Sequence, residues 1–128
     1  MDNKKTVSRP VYLNLLKIRQ PITALASIGH RISGVLLFIA IPLMIWTLDT
    51  ALQGPQQYQQ VVTLYDHPLM KLLLLLLAWA GAHHFFAGIR FLFIDIDWGV
   101  DLVTARRTAG MAIGCGVVGV VIALIVIL

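Results

Sequence analysis

The stretch from Pro68 to Ile94, PLMKLLLLLLAWAGAHHFFAGIRFLFI, decides the fold. As a helix rising about 1.5 Å per residue it exceeds the roughly 30 Å of a bilayer's hydrocarbon core. Backbone in hydrocarbon must satisfy its own hydrogen bonds, so the stretch is predicted to be helical. His84 lies deep inside it, with His83 beside it and Gly88 one turn further on. An ionisable imidazole is costly at that depth and tends to mark a site.

Working outward, two more apolar runs, Ile32 to Leu52 and Ala109 to Leu128, are each long enough to cross. The chain has 128 residues, of which 59% are hydrophobic and 12% charged, and a mean hydropathy of +0.85. That is too apolar for an ordinary soluble domain. The prediction is an all-α integral membrane protein in which residues 1–128 form one anchor domain with spans at about 32–52, 68–94 and 109–128. A net charge of +4 would suit nucleic acid, but the ten Lys and Arg residues are scattered and no soluble basic surface remains to carry them. No nucleic-acid role is expected. Cys115 is the only cysteine, which excludes a disulfide framework and a CxxC motif.

The basic residues set orientation instead. Lys4, Lys5, Arg9, Lys17, Arg19 and Arg31 precede the first span, Gln53 to His67 contains no Lys or Arg, and Arg106 and Arg107 follow the second span. Positive-inside counting places the N-terminus in the cytoplasm and the C-terminus in the periplasm. Lys71 dissents, though its long stem can snorkel to the outer interface. The first run is too long for a secretory signal and lacks a small-residue cleavage site. Between Asn14 and Ile28, Pro21 is a natural start for a short interfacial helix. The Gln53 to Tyr65 segment, with Gly54, Pro55 and several glutamines, reads as a polar connection.

This topology brings Ser27, His30 and Arg31, entering the first span, to the same surface as Arg90 and Asp95, leaving the second. His84 precedes Arg90 by six residues and so lies about 9 Å deeper. An imidazole beneath a rim of arginines fits an anionic, largely apolar ligand, and haem b has that shape. The alternative is a histidine bonded to Ser, Thr or a carbonyl on a neighbouring helix, an interaction worth about 0.6 to 2 kcal/mol. His83 points roughly 100° away from His84 and cannot serve the same iron, so it reads as a bonded or lipid-interface residue. Arg31 and Arg90 also read as interfacial anchors, and Asp95, Asp97 and Asp101 as solvated carboxylates. Gly110, Gly114, Gly116 and Gly119 outline a close-packing face on the third span.

Two segments carry a family resemblance. Arg9-Pro10, Arg19-Gln20-Pro21-Ile22-Thr23-Ala24 and Ser27-Ile28-Gly29-His30-Arg31 with Gly34 resemble the cytochrome b subunit of succinate dehydrogenase, the larger membrane anchor of bacterial complex II. His84-Phe85-Phe86-Ala87-Gly88-Ile89-Arg90, with Asp95, is similar to that family's H-x-x-x-G-x-R signature. The resemblance implies that His84 is an axial ligand of the haem iron, that His30 and Arg31 lie near the haem propionates, and that Ser27, Arg31 and Asp95 belong to a ubiquinone site. It further implies a bacterial inner-membrane location among lipid, in a complex with three partners. These are a smaller hydrophobic anchor supplying the second haem ligand, an iron-sulfur subunit and a flavoprotein, with FAD and the clusters held only by the partners. Phe91 departs from the family's pattern, where a histidine often stands, so propionate binding from that position is not expected. The rival readings are an anchor of a quinol:fumarate reductase and a structural membrane subunit without redox function.

Overall fold

Pro21 stands in extended backbone, with φ −65° and ψ 152°, and a helix begins at the next residue. The computed structural model describes residues 18–127, so Lys4, Lys5, Arg9, Pro10, Asn14 and Lys17 lie outside the described residues. Within that range the chain forms α1 (Ile22–Leu52), α2 (Pro55–Asp66), α3 (Pro68–Asp95) and α4 (Leu102–Ile127). α1, α3 and α4 are each long and apolar enough to cross a membrane.

The expected start at Pro21 is observed, but the short interfacial helix is not a separate element. It is the first two turns of α1, which runs unbroken into the membrane. The shift from mixed to apolar composition near Ile32 marks a change of surroundings, and nothing between Ile22 and Ile32 breaks a helix. Even Pro42, which lacks an N–H, is accommodated inside α1.

The connection after α1 is also more ordered than its composition suggested. Gly54 adopts φ 150°, Pro55 occupies the first turn, and the glutamine-rich segment continues as α2. Proline suits a helix start and glutamine is a good helix former, so these residues build a helix as readily as a loop. The Tyr65 hydroxyl donates to Thr47 Oγ1 at 3.1 Å and ties the end of α2 to α1. His67 then caps α3 by accepting from the Leu69 N–H. Lys71 reaches Asp66 at 3.4 Å, so its charge has a partner where it enters α3.

At the opposite end a short turn joins α3 to α4. Asp97 and Gly99 have positive φ of 58° and 75°, and the Trp98 N–H donates to the Phe93 carbonyl. Asp101 Oδ1 accepts from the N–H groups of Val103 and Thr104, a side-chain cap that starts α4 before Arg106 and Arg107. Hydrogen bonds from Thr104 hold the Asp101 carboxyl below the usual carboxylate range. A lowered folded value means that the cap's contribution is present above the unfolded pKa and is lost as pH falls through the folded one. Amide exchange at Val103 and Thr104, corrected for its intrinsic pH dependence, is therefore expected to be several-fold faster in Asp101→Ala at neutral pH. Wild type should approach that variant only in acid. Equal protection of the two proteins at neutral pH would refute the cap.

The spans pack antiparallel in sequence order through small side chains. Ala26, Ser33 and Ala40 of α1, Ala80 and Ala87 of α3, and Ala109, Ala112 and Gly116 of α4 are buried. Large apolar groups such as Phe38, Leu48 and Val126 face outward. Lipid tails are as apolar as leucine, so membrane helices associate through close backbone approach, for which small residues are needed. On α4, Gly116 lies against Trp79 and His83 while Gly119 lies against Ala78 and Ala82. Gly114 meets nothing, so the expected glycine face holds only in part.

Candidate functional site

Three imidazoles converge where α1 crosses α3. His30 and His84 stack with ring centroids 4.1 Å apart and planes 7° from parallel. A glycine makes this approach possible. A Cβ on Gly34 would stand 2.9 Å from His84 Cε1, whereas one on Gly88 would stand 3.5 Å from His30 Nε2, an ordinary contact. The Phe91 ring packs against His30 with centroids 5.1 Å apart and planes tilted by 57°.

The environment of His84 determines its tautomer. Nδ1 lies 3.0 Å from the His30 carbonyl oxygen and 3.2 Å from Ser33 Oγ, while the Ser33 hydroxyl itself donates to that carbonyl. A carbonyl only accepts, so these partners assign the hydrogen to Nδ1 and the lone pair to Nε2. Among the described residues Nε2 has no hydrogen-bond partner. A histidine that donates through Nδ1 to a carbonyl and keeps Nε2 free is arranged as a metal-ligating histidine is.

His83 is built differently. It is 2% exposed, and its Nδ1 and Nε2 lie 3.1 Å and 3.3 Å from the carbonyl oxygens of Ala112 and Ala26. Trp79 stacks on one face at 5.6 Å. Gly29 clears space for the ring, since a Cβ there would stand 2.7 Å from Nε2. Both ring nitrogens face backbone carbonyls, and an imidazole with one N–H donates to one of the two, so His83 sits packed between α1, α3 and α4 with a hydrogen bond to a neighbouring helix, as the reading of a bonded histidine anticipated.

Ser27 is half-buried and Arg31 exposed, on the turn of α1 that also carries His30. Asp95 is exposed at the last position of α3, one turn beyond Phe91. The antiparallel packing brings these residues to one end of the bundle. Among the described residues none of the three bonds to another through its side chain. Arg90 departs from the expected rim. It is 9% exposed and turns to α4, where Nε donates to Thr108 Oγ1 at 3.1 Å and Nη2 to the Ala105 carbonyl at 3.4 Å. Seven residues separate it from His83, close to two full turns, so it shares the His83 face and not that of His84.

Ser33 was absent from the expected site. Its position three residues after His30 put it on the same helical face, and that spacing was the available signal. Among the described residues, no group of three or more His, Cys, Asp or Glu side chains could hold a metal ion. Chemically, the residues expected at the site offer the Nε2 of His84, the Ser27 hydroxyl, the exposed Arg31 guanidinium and the exposed Asp95 carboxylate.

Residues 5–124 match the family described as succinate dehydrogenase/fumarate reductase transmembrane subunit. A protein of Coxiella burnetii named succinate dehydrogenase cytochrome b556 subunit is 37% identical over 102 residues, covering 79% of this chain and 82% of that protein. A protein of Paracoccus denitrificans with the same name is 32% identical over 119 residues, covering 93% of this chain and 92% of its own length. In Rickettsia prowazekii a protein so named is 27% identical over 109 residues, with 85% of each chain covered.

Proposed function

The chain belongs to the succinate dehydrogenase/fumarate reductase transmembrane subunit family, as a cytochrome b membrane subunit of succinate dehydrogenase, and from that premise we propose how it serves the enzyme. It is a multi-pass anchor of the bacterial inner membrane that holds one side of a haem b and part of the site where ubiquinone is reduced. The orientation of His84 carries this reading: Nε2, with a carbonyl and a hydroxyl at Nδ1 behind it, is the atom through which this residue would hold the haem iron. Haem b, when bound, supplies a one-electron redox centre. His30 and Arg31 would face its propionates.

A second ligand to the iron would come from another chain. Two imidazoles stacked face to face at 4.1 Å cannot sit on opposite sides of one iron, so His30 does not complete the pair with His84. A smaller hydrophobic anchor would supply that ligand and cover the large apolar side chains left exposed here. An iron-sulfur subunit and a flavoprotein carrying FAD would deliver electrons from succinate. Arg19, Arg31, Arg106 and Arg107 cluster at the Ser27 end of the bundle, whereas Lys71 is paired at the other, which supports a cytoplasmic location for the Ser27 end.

At that end Ser27 would donate to a quinone oxygen, and Arg31 would stabilise negative charge as it develops on the reduced ring. Asp95, exposed beside them, would pass protons inward from the cytoplasm. The relatives' names favour succinate oxidation over the fumarate direction that the family description also includes. In Ser27→Ala, succinate:ubiquinone reductase activity of the complex is expected to fall roughly tenfold, the factor that about 1.4 kcal/mol of lost hydrogen bonding gives. Succinate oxidation with a soluble artificial acceptor should be retained. Parallel loss of both activities would overturn the quinone role.

A further inference from the structure

Arg90 is a guanidinium buried between α3 and α4 with no carboxylate within 4.0 Å; among the described residues, the ion pair is Lys71 with Asp66. Its Nε and Nη2 are committed to Thr108 and Ala105, and Phe91 lies 5.4 Å from its central carbon. Nη1 has no protein partner among the described residues. The side chain cannot lose its charge, and since no side-chain nitrogen among the described residues is both fully buried and unpartnered, Nη1 is left accessible beside its two bonded neighbours. Arg90 also lines a groove of about 320 Å³, whose other walls include Phe86, Phe93, Trp98, Met111 and Cys115.

The groove has a direction. Trp98 lies in the α3–α4 turn, at the end of the bundle, whereas Phe86 and Cys115 lie roughly 14 and 20 Å deeper by helical rise. The guanidinium bonds to Ala105 and Thr108 in the first two turns of α4, so its charge sits toward the outer end and the apolar walls continue inward. Arg106 and Arg107 are exposed on the same turns, with Asp95, Asp97 and Asp101 exposed around the connection. None of these acids reaches Arg90.

We propose that this groove is a phospholipid site, in which Arg90 binds the phosphate of an anionic lipid while one acyl chain lies inward between Phe86 and Cys115. Charge complementarity selects the head, since Arg pairs with phosphate through parallel N–H bonds. The depth order of charge and apolar wall matches that of a lipid in the same leaflet. The site lies on the α4 side of α3, distinct from the stacked His30 and His84 on the α1 side.

The test uses the chain purified with the subunits that assemble with it, depleted of lipid and incubated with mixed micelles of phosphatidylglycerol or phosphatidylcholine. Native mass spectrometry counts the lipids retained. Wild type and the exposed-site control Arg106→Gln are expected to retain one more phosphatidylglycerol than either Arg90→Gln, which removes the charge, or Cys115→Phe, which fills the inner groove. Phosphatidylcholine should show a smaller difference, and excess inorganic phosphate should not displace the bound lipid. If Arg90→Gln fails to assemble, Cys115→Phe decides, because it leaves the guanidinium in place. Equal retention by wild type and Cys115→Phe overturns the proposal, as does displacement by phosphate alone. A partner subunit's carboxylate found within 4 Å of Arg90 in a structure of the complex would also overturn it.

Discussion

Replacing His84 by leucine is expected to abolish the low-spin haem absorbance of the assembled complex. Leucine fills a similar space without offering a lone pair, so the loss would report the donor atom more than the packing. A graded pair of controls separates the donor from its support. Ser33→Ala removes the hydroxyl 3.2 Å from Nδ1 but leaves the His30 carbonyl at 3.0 Å, so haem should be retained with its affinity lowered, within the roughly 10- to 100-fold range of lost outer partners. His30→Leu removes the stacked ring and leaves the Nδ1 carbonyl in place, so a haem spectrum should persist in altered form. An unchanged spectrum in His84→Leu would sink the assignment, and a loss in His30→Leu equal to that in His84→Leu would show that position 84 is not special.

The second large effect is expected at Gly119. A Cβ there would stand 2.6 Å from Ala82 Cβ and 3.2 Å from the Ala78 carbonyl oxygen, so the obstacle is a short side chain and rigid helix backbone. Neither can swing aside, and Gly119→Leu must push α4 away from α3. The displacement would also pull Gly116 from Trp79 and the Ala112 carbonyl from His83. Overpacking of a tight core costs about 1 to 3 kcal/mol, and this site adds the loss of a buried hydrogen bond. The expected result is failure to enter the complex or a clearly lowered thermal midpoint in detergent. Gly114→Leu is the matched control, because a Cβ at Gly114 meets nothing within 4 Å. Equal assembly of the two variants would disprove close packing at Gly119.

The sequence made the three spans legible because hydrocarbon imposes one demand on the backbone and twenty-odd apolar residues satisfy it. Helix ends were harder to read. Apolar runs locate the bilayer, whereas α1 and α4 extend beyond them through polar turns that continue the same backbone bonds. The segment forming α2 reads in the sequence only as a polar connection, because the polarity of Gly54, Pro55 and the glutamines says little about helix formation.

The site divides in the same way. His84, His30, Ser27, Arg31 and Asp95 could be placed at one end of the bundle from order and topology alone. The bond that directs His84 could not, since it depends on α1 presenting the carbonyl of His30, a backbone atom that no side-chain motif encodes. Arg90 is an intermediate case. Its heptad spacing from His83 was present in the sequence, but which neighbour that face would meet depended on the placement of α4.

Two histidines in succession create an ambiguity of phase. Sliding α3 by one residue, about 1.5 Å with a 100° turn, would bring His83 toward the direction that His84 occupies. The paired contacts of His83 with Ala26 and Ala112 remove that freedom. They act as a key in a lock of backbone oxygens, admitting one rotational setting of the helix and thereby choosing which of two identical rings faces α1.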